Sequence, residues 1–241
     1  MKKNLFLLCI CALILSSCIR INGGSQIEPS ANIVKKEYPM SDFDKMDIDV
    51  IANVKYIQSD GRPRVVLSAP DNYIELFEFD VNNHKLSMEF SHSNINIDAE
   101  NVDITVYSST LRGLENDGLA NIEISRLKTD RLDVENSGVG SMYLSGLTVR
   151  ELEAECSGVG NIELSGMAKV ATLDCSGVGS IKAQNLKADT VKGDVSGVGS
   201  IHCYAIEYID AEVSGVGSLQ YGGNPQRKEL RRTGVGNIGP M

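Results

Sequence analysis

Cysteines, histidines, carboxylates and a repeated glycine phrase are the groups in this chain that could do chemistry. Cys18 makes the sharpest case. It follows Leu15-Ser16-Ser17 directly, at the end of an apolar run from Leu5 to Leu15 that Lys2 and Lys3 precede. A run this short fits an export signal and is too short to span a bilayer. Leu-Ser-Ser-Cys fits a lipobox, in which small residues admit the peptidase and the thiol takes a diacylglyceryl group before cleavage. Residues 1–17 then form a lipoprotein signal peptide and Cys18 becomes the lipidated N-terminus. Its acyl chains are the expected membrane attachment, since several buried chains hold far better than one.

Of the six cysteines, Cys9 and Cys11 leave with the signal. Cys156, Cys175 and Cys203 remain, an odd number for an oxidising compartment. Cys156 and Cys175 fall in equivalent slots of neighbouring repeats, about 4.8 Å apart, which lies within disulfide reach. Val195 and Val213 fill the same slot further on, which favours cysteine as a small hydrophobe; whether the pair is bridged stays open. Cys203 falls in an apolar slot and reads as buried. No Cys-x-x-Cys or Cys/His spacing points to a metal, and no cofactor is expected. His84, His92 and His202 are scattered, with His202 in an outward slot. Outward carboxylates are too plentiful to mark a glycosidase pair. Ser137 and its equivalents lack both a nucleophile-elbow context and a nearby His.

The glycine phrase is Ser-Gly-Val-Gly, starting at Ser137, Ser157, Ser176, Ser196 and Ser214. Thr233-Gly234-Val235-Gly236 and the degenerate Asp117-Gly118-Leu119-Ala120 extend it at the two ends. Glycine-rich loops can cradle phosphate, but no helix pattern or Lys follows here. The nine-residue calcium roll is absent too. Starts recur about every 20 residues, and such a period means a solenoid in which each repeat is one stacked unit. The expected role of Gly138, Gly140, Gly158, Gly160, Gly177, Gly179, Gly197, Gly199, Gly215, Gly217, Gly234 and Gly236 is a structural turn. Glycine admits positive φ and lets neighbouring rungs approach closely.

The elements around the phrase are strands. After it, one apolar slot holds Ile122, Met142, Ile162, Ile181, Ile201, Leu219 and Ile238. Two residues on, a second holds Ile124, Leu144, Leu164, Ala183, Cys203 and Tyr221. Three further on, a third holds Leu127, Leu147, Met167, Leu186 and Ile206, with a bend near Gly146 or Gly166. A strand before each phrase places Leu132/Val134, Leu152/Ala154/Cys156, Ala171/Leu173/Cys175, Val191/Gly193/Val195 and Ile209/Ala211/Val213 inward. Asp133, Glu153, Glu155, Asp174, Lys192, Asp194, Asp210 and Glu212 alternate with them and point outward. The polar series Asn121, Ser141, Asn161, Ser180, Ser200, Ser218 and Asn237 predicts side-chain bonds between neighbouring turns. The fold class is therefore all-β: a parallel β-solenoid of ~20-residue rungs, right-handed by the general preference of parallel crossovers.

Upstream, short alternating runs such as Met46–Val50 and Val102–Val106 predict strands without the short repeat. The stretch Asn72–Phe79 fits either a short helix or a strand. The expected organisation is a flexible tether over 18–37 and one solenoid domain over 38–241. Within that domain 38–113 is less regular and 114–241 carries the repeats. Without residues 1–17, Lys+Arg falls from 23 to 21 against 32 acidic residues, a net charge of −11. That argues against nucleic acid and against a basic patch for anionic lipid.

The repeated Gly-x-Gly-[Ser/Asn]-Ile, seen in Gly160-Asn161-Ile162 and Gly236-Asn237-Ile238, together with the upstream β segment, resembles the DUF2807 family of auto-transporter adhesin head (GIN) domains. The resemblance covers roughly Tyr38 to Ile238. It implies a parallel β-solenoid, often on exported lipoproteins of the Bacteroidetes type, and brings no catalytic residues with it. The expectation is a non-enzymatic, lipid-anchored cell-envelope protein at the outer membrane, with the surface and periplasmic leaflets both open. Its role would be adhesion through a glycan or protein ligand on a β face. The alternatives are a periplasmic structural or sensing scaffold and a carbohydrate-active β-helix enzyme. Exposed strand edges at the solenoid ends make homo-oligomers possible.

Overall fold

The computed structural model describes residues 26–241. The signal peptide expected over 1–17 and the lipid site expected at Cys18 lie outside the described residues. Strands run as β1 (Ile33–Pro39), β2 (Lys45–Asp49), β3 (Ile51–Gln58), β4 (Arg64–Pro70), β5 (Phe77–Asn82), β6 (Lys85–Phe90), β7 (Asp103–Ser108), β8 (Gly113–Asn116) and β9 (Leu119–Ile124). They continue as β10 (Leu127–Asn136), β11 (Val139–Cys156), β12 (Val159–Cys175), β13 (Val178–Val195), β14 (Val198–Val213), β15 (Val216–Gly222), β16 (Arg227–Arg232) and β17 (Val235–Pro240). The chain is a parallel β-solenoid of about 6 turns with ~20-residue spacing.

Each of β11 to β14 bends once at a corner and serves two columns of stacked strands. The first column runs β1-β4-β7-β3-β9, then the leading halves of β11 to β14, then β15 and β17. The second runs β5-β6-β2-β8-β10, then the trailing halves of β11 to β14, then β16. Register is in phase along both columns, so Met142 pairs with Ile162, Ile162 with Ile181, and Ile181 with Ile201. The predicted inward slots Ile122, Met142, Ile162, Ile181, Ile201 and Leu219 are all fully buried. Each such aliphatic side chain contributes about 1.5–3 kcal/mol on burial, and only its neighbours in the stack can supply that burial.

The third apolar slot needs correcting. Leu127, Leu147 and Leu186 are buried, but Met167 is 60% exposed and Ile206 44% exposed. Ala168 and Ala205 turn inward instead. The cause is the shorter repeats, which shed residues at the corner: register slips occur at Leu144/Leu147, Glu163/Ser165 and Ala183/Lys187. A fixed offset counted across that corner picks the wrong face, because in strands one residue of slip inverts it.

The flexible tether expected over 18–37 is not what the described part of that stretch forms, and 18–25 lie outside the described residues. Ile27 bridges to Ile97, and β1 starts at Ile33, antiparallel to β4. The undecided stretch is both structures in turn: a 3-10 turn over Asp71–Leu76, then β5. The less regular N-terminal part caps the stack through antiparallel pairings β1–β4, β4–β7 and β5–β6. Large aromatics gather at this end: Tyr38 and Phe79 have ring centroids 4.9 Å apart, Phe77 and Phe90 5.1 Å. A terminal rung has no successor to cover it, so bulkier rings close the core there.

The C-terminal end is closed by charge. In register, Lys228 stacks on Ile209, Leu230 on Ala211 and Arg232 on Val213. Two cations thus occupy slots that are apolar in the four rungs directly beneath. Arg232 Nη1 donates to the Gly236 carbonyl at 3.0 Å, and Lys228 Nζ lies 5.5 Å from the Tyr221 ring centroid. Their aliphatic stems cover the core while their heads stay in water, and charge on an edge strand discourages pairing with another chain. Replacing both by Leu is expected to make the protein self-associate. Size-exclusion chromatography over a concentration series should show a larger species for the double variant. Unchanged elution would mean the cations do not guard the edge.

Candidate functional site

The Ser-Gly-Val-Gly turns are placed by hydrogen bonds from rung to rung. Both Ser157 and Gly158 N–H groups donate to the Asn136 carbonyl, at 3.1 and 2.9 Å, and Val159 N–H donates to the Gly138 carbonyl at 3.0 Å. The same triad recurs at Ser176, Ser196, Ser214 and Thr233. Positive φ is used at only two of the twelve predicted turn glycines, Gly140 (+142°) and Gly160 (+154°). Close approach is the general reason for glycine. A Cβ on Gly158 would sit 2.2 Å from the Gly138 carbonyl oxygen, and one on Gly177 2.3 Å from that of Gly158. These glycines serve the stack and leave no cradle for an anion.

The slot before each Ser-Gly holds a buried column that begins with polar residues. Asn116 Nδ2 donates to Asn136 Oδ1 at 2.8 Å, and Asn136 Nδ2 to the Gly140 carbonyl at 3.2 Å. Cys156 and Cys175 follow in direct register, both fully buried and both free thiols. Each thiol donates to the second glycine of its own turn, Gly160 at 3.6 Å and Gly179 at 3.7 Å. They act as small residues that also satisfy a carbonyl. Cys203 is buried and free as well, and burial pushes its thiol up to about 12. Among the described residues no cluster of three or more His, Cys, Asp or Glu is placed to hold a metal ion.

The outer surface carries ladders. On the first column a row runs Lys55, Glu123, Tyr143, Glu163, Lys182, His202 and Gln220, one residue per rung. Neighbours bond along it: Lys55 Nζ to Glu123 Oε1 at 3.3 Å, Lys182 Nζ to Glu163 Oε1 at 2.7 Å, and His202 Nε2 to Gln220 Oε1 at 3.0 Å. His202 is thus an outward, partnered residue, as its slot predicts. The parallel Asn/Ser row forms predicted bonds at two steps. Ser180 Oγ donates to Asn161 Oδ1 at 2.6 Å, and Asn121 Oδ1 accepts the Ser141 N–H at 3.3 Å.

Where these rows begin, the surface sinks into a hollow of about 560 Å³. Its outward lining forms a grid: Asp103, Asn53 and Asn121 in one row, and Thr105, Lys55, Glu123 and Tyr143 in the next. The β9–β11 ladder is interrupted between Leu119/Val139 and Ile122/Met142, where Asn121 bonds the free backbone N–H. Asn53 Nδ2 donates to Asp103 Oδ1 at 3.4 Å. Hydrogen bonds from Ser125 and then Lys55 hold the Glu123 carboxyl below its ordinary range, so it stays ionised. Tyr143 closes one side and is 46% exposed.

The second column carries a ladder of one sign. Asp47, Glu115, Glu135, Glu155, Asp174, Asp194 and Glu212 stack in direct register. Cations reach its ends: Lys85 pairs with Asp47 at 2.6 Å and Glu115 at 3.4 Å, and Arg231 with Glu212 at 3.1 Å. Beside it, the turn valines form an apolar ridge. Leu119, Val139, Val159, Val178, Val198 and Val216 are 49–57% exposed and in register. Neither the hollow nor these two ladders was singled out by the sequence patterns. The carboxylate ladder had a signal, an acidic residue two positions before the Ser in five consecutive turns from Glu135 to Glu212.

The architecture is that of a parallel β-solenoid with repeated glycine turns at one edge and side-chain ladders on its faces. The family model described as "Putative auto-transporter adhesin, head GIN domain" matches residues 42–225, and the chain belongs to this DUF2807 family. Its fold is similar to the crystal structure of a "putative adhesin" from Bacteroides fragilis, with 37% identity, 89% of this chain and 100% of that chain covered, and a TM-score of 0.86. A "putative adhesin" from Parabacteroides merdae shares 22% identity over 90% of this chain and 100% of that chain, TM-score 0.68. A "putative lipid binding protein" from Parabacteroides distasonis shares 21% identity over 88% and 99%, TM-score 0.70. At these lower identities the likeness concerns the fold. Among curated proteins none matches the chain.

Proposed function

We propose that the protein is a lipid-anchored, non-enzymatic binding module of the cell envelope that acts in surface adhesion. The observation that carries this reading is the row from Lys55 to Gln220. It places hydrogen-bonding side chains in register on rung after rung of a rigid scaffold. Such a row is a long platform for an extended ligand, since loops on a moving surface cannot hold that many groups at fixed spacing. Family membership supports the adhesive role, and Leu15-Ser16-Ser17-Cys18 supports the anchor.

Protease shaving of intact cells followed by blotting tests the reading. The band is expected to disappear while a periplasmic control stays intact. A protected band overturns surface adhesion and favours an envelope scaffold. In parallel, Cys18→Ala is expected to move the protein out of the membrane fraction, and retention there would overturn the lipid anchor.

A further inference from the structure

We propose that the hollow beside Tyr143 is a saccharide-binding site for an uncharged oligosaccharide lying along the solenoid axis. The inference rests on the reading of the protein as a binding module and names the class of its ligand. The shape comes first: about 560 Å³ falls within the ordinary range of small-ligand sites. The lining decides the chemistry. Its outward groups are two amides, one hydroxyl, one ammonium, two carboxylates and one phenol ring: Asn53, Asn121, Thr105, Lys55, Asp103, Glu123 and Tyr143.

That mixture suits sugar hydroxyls. Each hydroxyl both donates and accepts, and the lining alternates acceptors (Asp103, Glu123) with donors (Lys55 and the two amides). An exposed Tyr ring offers a flat apolar face to the C–H side of a pyranose, with its own hydroxyl free to bond. The groups are held ready by the Lys55–Glu123 pair at 3.3 Å, the Ser125–Glu123 bond at 2.8 Å and the Asn53–Asp103 contact at 3.4 Å. All come from strands of the first column, which lowers the ordering cost of binding. Other ligand classes fit worse. Two carboxylates against one ammonium leave the hollow net negative, which repels phosphate, sulfate and acidic sugars. A lipid tail would strand the amides and charges without partners.

The site does not stop at the hollow. Past Tyr143 the row continues with Glu163, Lys182, His202 and Gln220 at the ~4.8 Å strand spacing. A linear chain that stacks one ring on Tyr143 can therefore reach further hydrogen-bonding pairs on successive rungs.

The test is isothermal titration of the purified full chain with four neutral probes: cellohexaose, maltohexaose, xylohexaose and mannohexaose. A polygalacturonate oligomer serves as the acidic counterpart. At least one neutral probe is expected to bind, and the acidic oligomer is not. Tyr143→Ala should weaken binding roughly tenfold, while Tyr143→Phe keeps most of it. Asn121→Ala should weaken it as well. Circular dichroism of each variant confirms that the stack is intact. The site is overturned by no binding of any neutral probe at millimolar concentration, by equal binding of the acidic oligomer, or by binding that Tyr143→Ala leaves unchanged. A surface-exposed protein that binds none of the sugars would keep the adhesive role and lose only this site.

Discussion

Gly160→Ala is expected to abolish the cooperative unfolding transition or lower its midpoint drastically, although it adds one methyl group. That methyl would sit 1.8 Å from the Gly140 carbonyl oxygen, well inside any real contact, and Gly160 holds φ +154°. The obstacle is backbone of the rung below, so no rotamer change relieves it. Relief requires the rungs to part, which breaks the inter-rung hydrogen bonds around Val159 and Gly158. In a solenoid this cuts the nearest-neighbour coupling in mid-stack. The cost is on the order of 4 kcal/mol or more, in the range of severe single substitutions. The matched control is Gly236→Ala, whose methyl would lie 2.0 Å from the Gly217 carbonyl oxygen in the last rung. Among the described residues nothing stacks above β17, so it can move away, and the loss should be about half as large. Glu153→Ala removes only an exposed pair with Arg131 at 2.9 Å and should cost less than about 1 kcal/mol. Thermal denaturation followed by far-ultraviolet circular dichroism separates the three. Equal losses for Gly160→Ala and Gly236→Ala would sink the stacking account.

The contrast between those glycines shows what the sequence makes legible. A phrase recurring about every 20 residues gave away the period, and alternation around it gave away the buried columns from Ile122 to Leu219. Both signals are local and repeated, so each rung corroborates the next. Corners are different. They absorb the shorter repeats, and nothing in the pattern says where a residue is dropped, so a fixed offset points Met167 and Ile206 inward while Ala168 and Ala205 hold those places. The N-terminal cap hid for a related reason: β1 pairs antiparallel with β4, a partner about 30 residues away, and no repeat marks it. The hollow is harder still. Asn53, Asp103 and Asn121 come from three strands far apart in sequence and meet only through inter-rung register. Tyr143 follows the inward Met142, so alternation alone puts it on the outer face, but nothing in the pattern names its neighbours across the rungs.

Asp174→Asn is expected to raise the melting temperature by a few degrees at neutral pH, against the usual direction of core-adjacent substitutions. Asp174 sits mid-ladder between Glu155 and Asp194, and among the described residues no cation pairs with any of these three. Burial, then the neighbouring charges, pushes the carboxyls of Glu135, Asp174 and Asp194 above their ordinary range. One Asp174 carboxylate oxygen is buried without a hydrogen-bond partner. Like charges directly opposite on neighbouring strands each cost a few tenths to about 1 kcal/mol, and an amide at 174 removes two such contacts at once. The pH dependence has a definite sign. A carboxyl whose folded pKa is raised binds its proton more readily in the folded state. Its contribution to stability is then complete below the unfolded pKa and is lost as pH rises through the folded one. Acidifying the wild type from neutrality toward about pH 5 should therefore raise its melting temperature. The rise should shrink in Asp174→Asn and further in Asp174→Asn/Glu155→Gln. Salt should act in the same direction by screening the ladder. Carboxylates held by partners oppose this trend: hydrogen bonds from Ser30 and Asn32 hold Asp71 low, so its contribution is lost only at more acid pH. A wild type that loses stability steadily from neutral pH downward, with Asp174→Asn no more stable than it, would show that the stacked carboxylates are screened and carry no repulsion. The ladder's end pairs, Lys85 and Arg231, mark where the fold already cancels that repulsion. Moving a cation to mid-ladder, as in Asp174→Lys, should therefore stabilise more than Asp174→Asn does, because it converts two repulsive contacts into attractive ones.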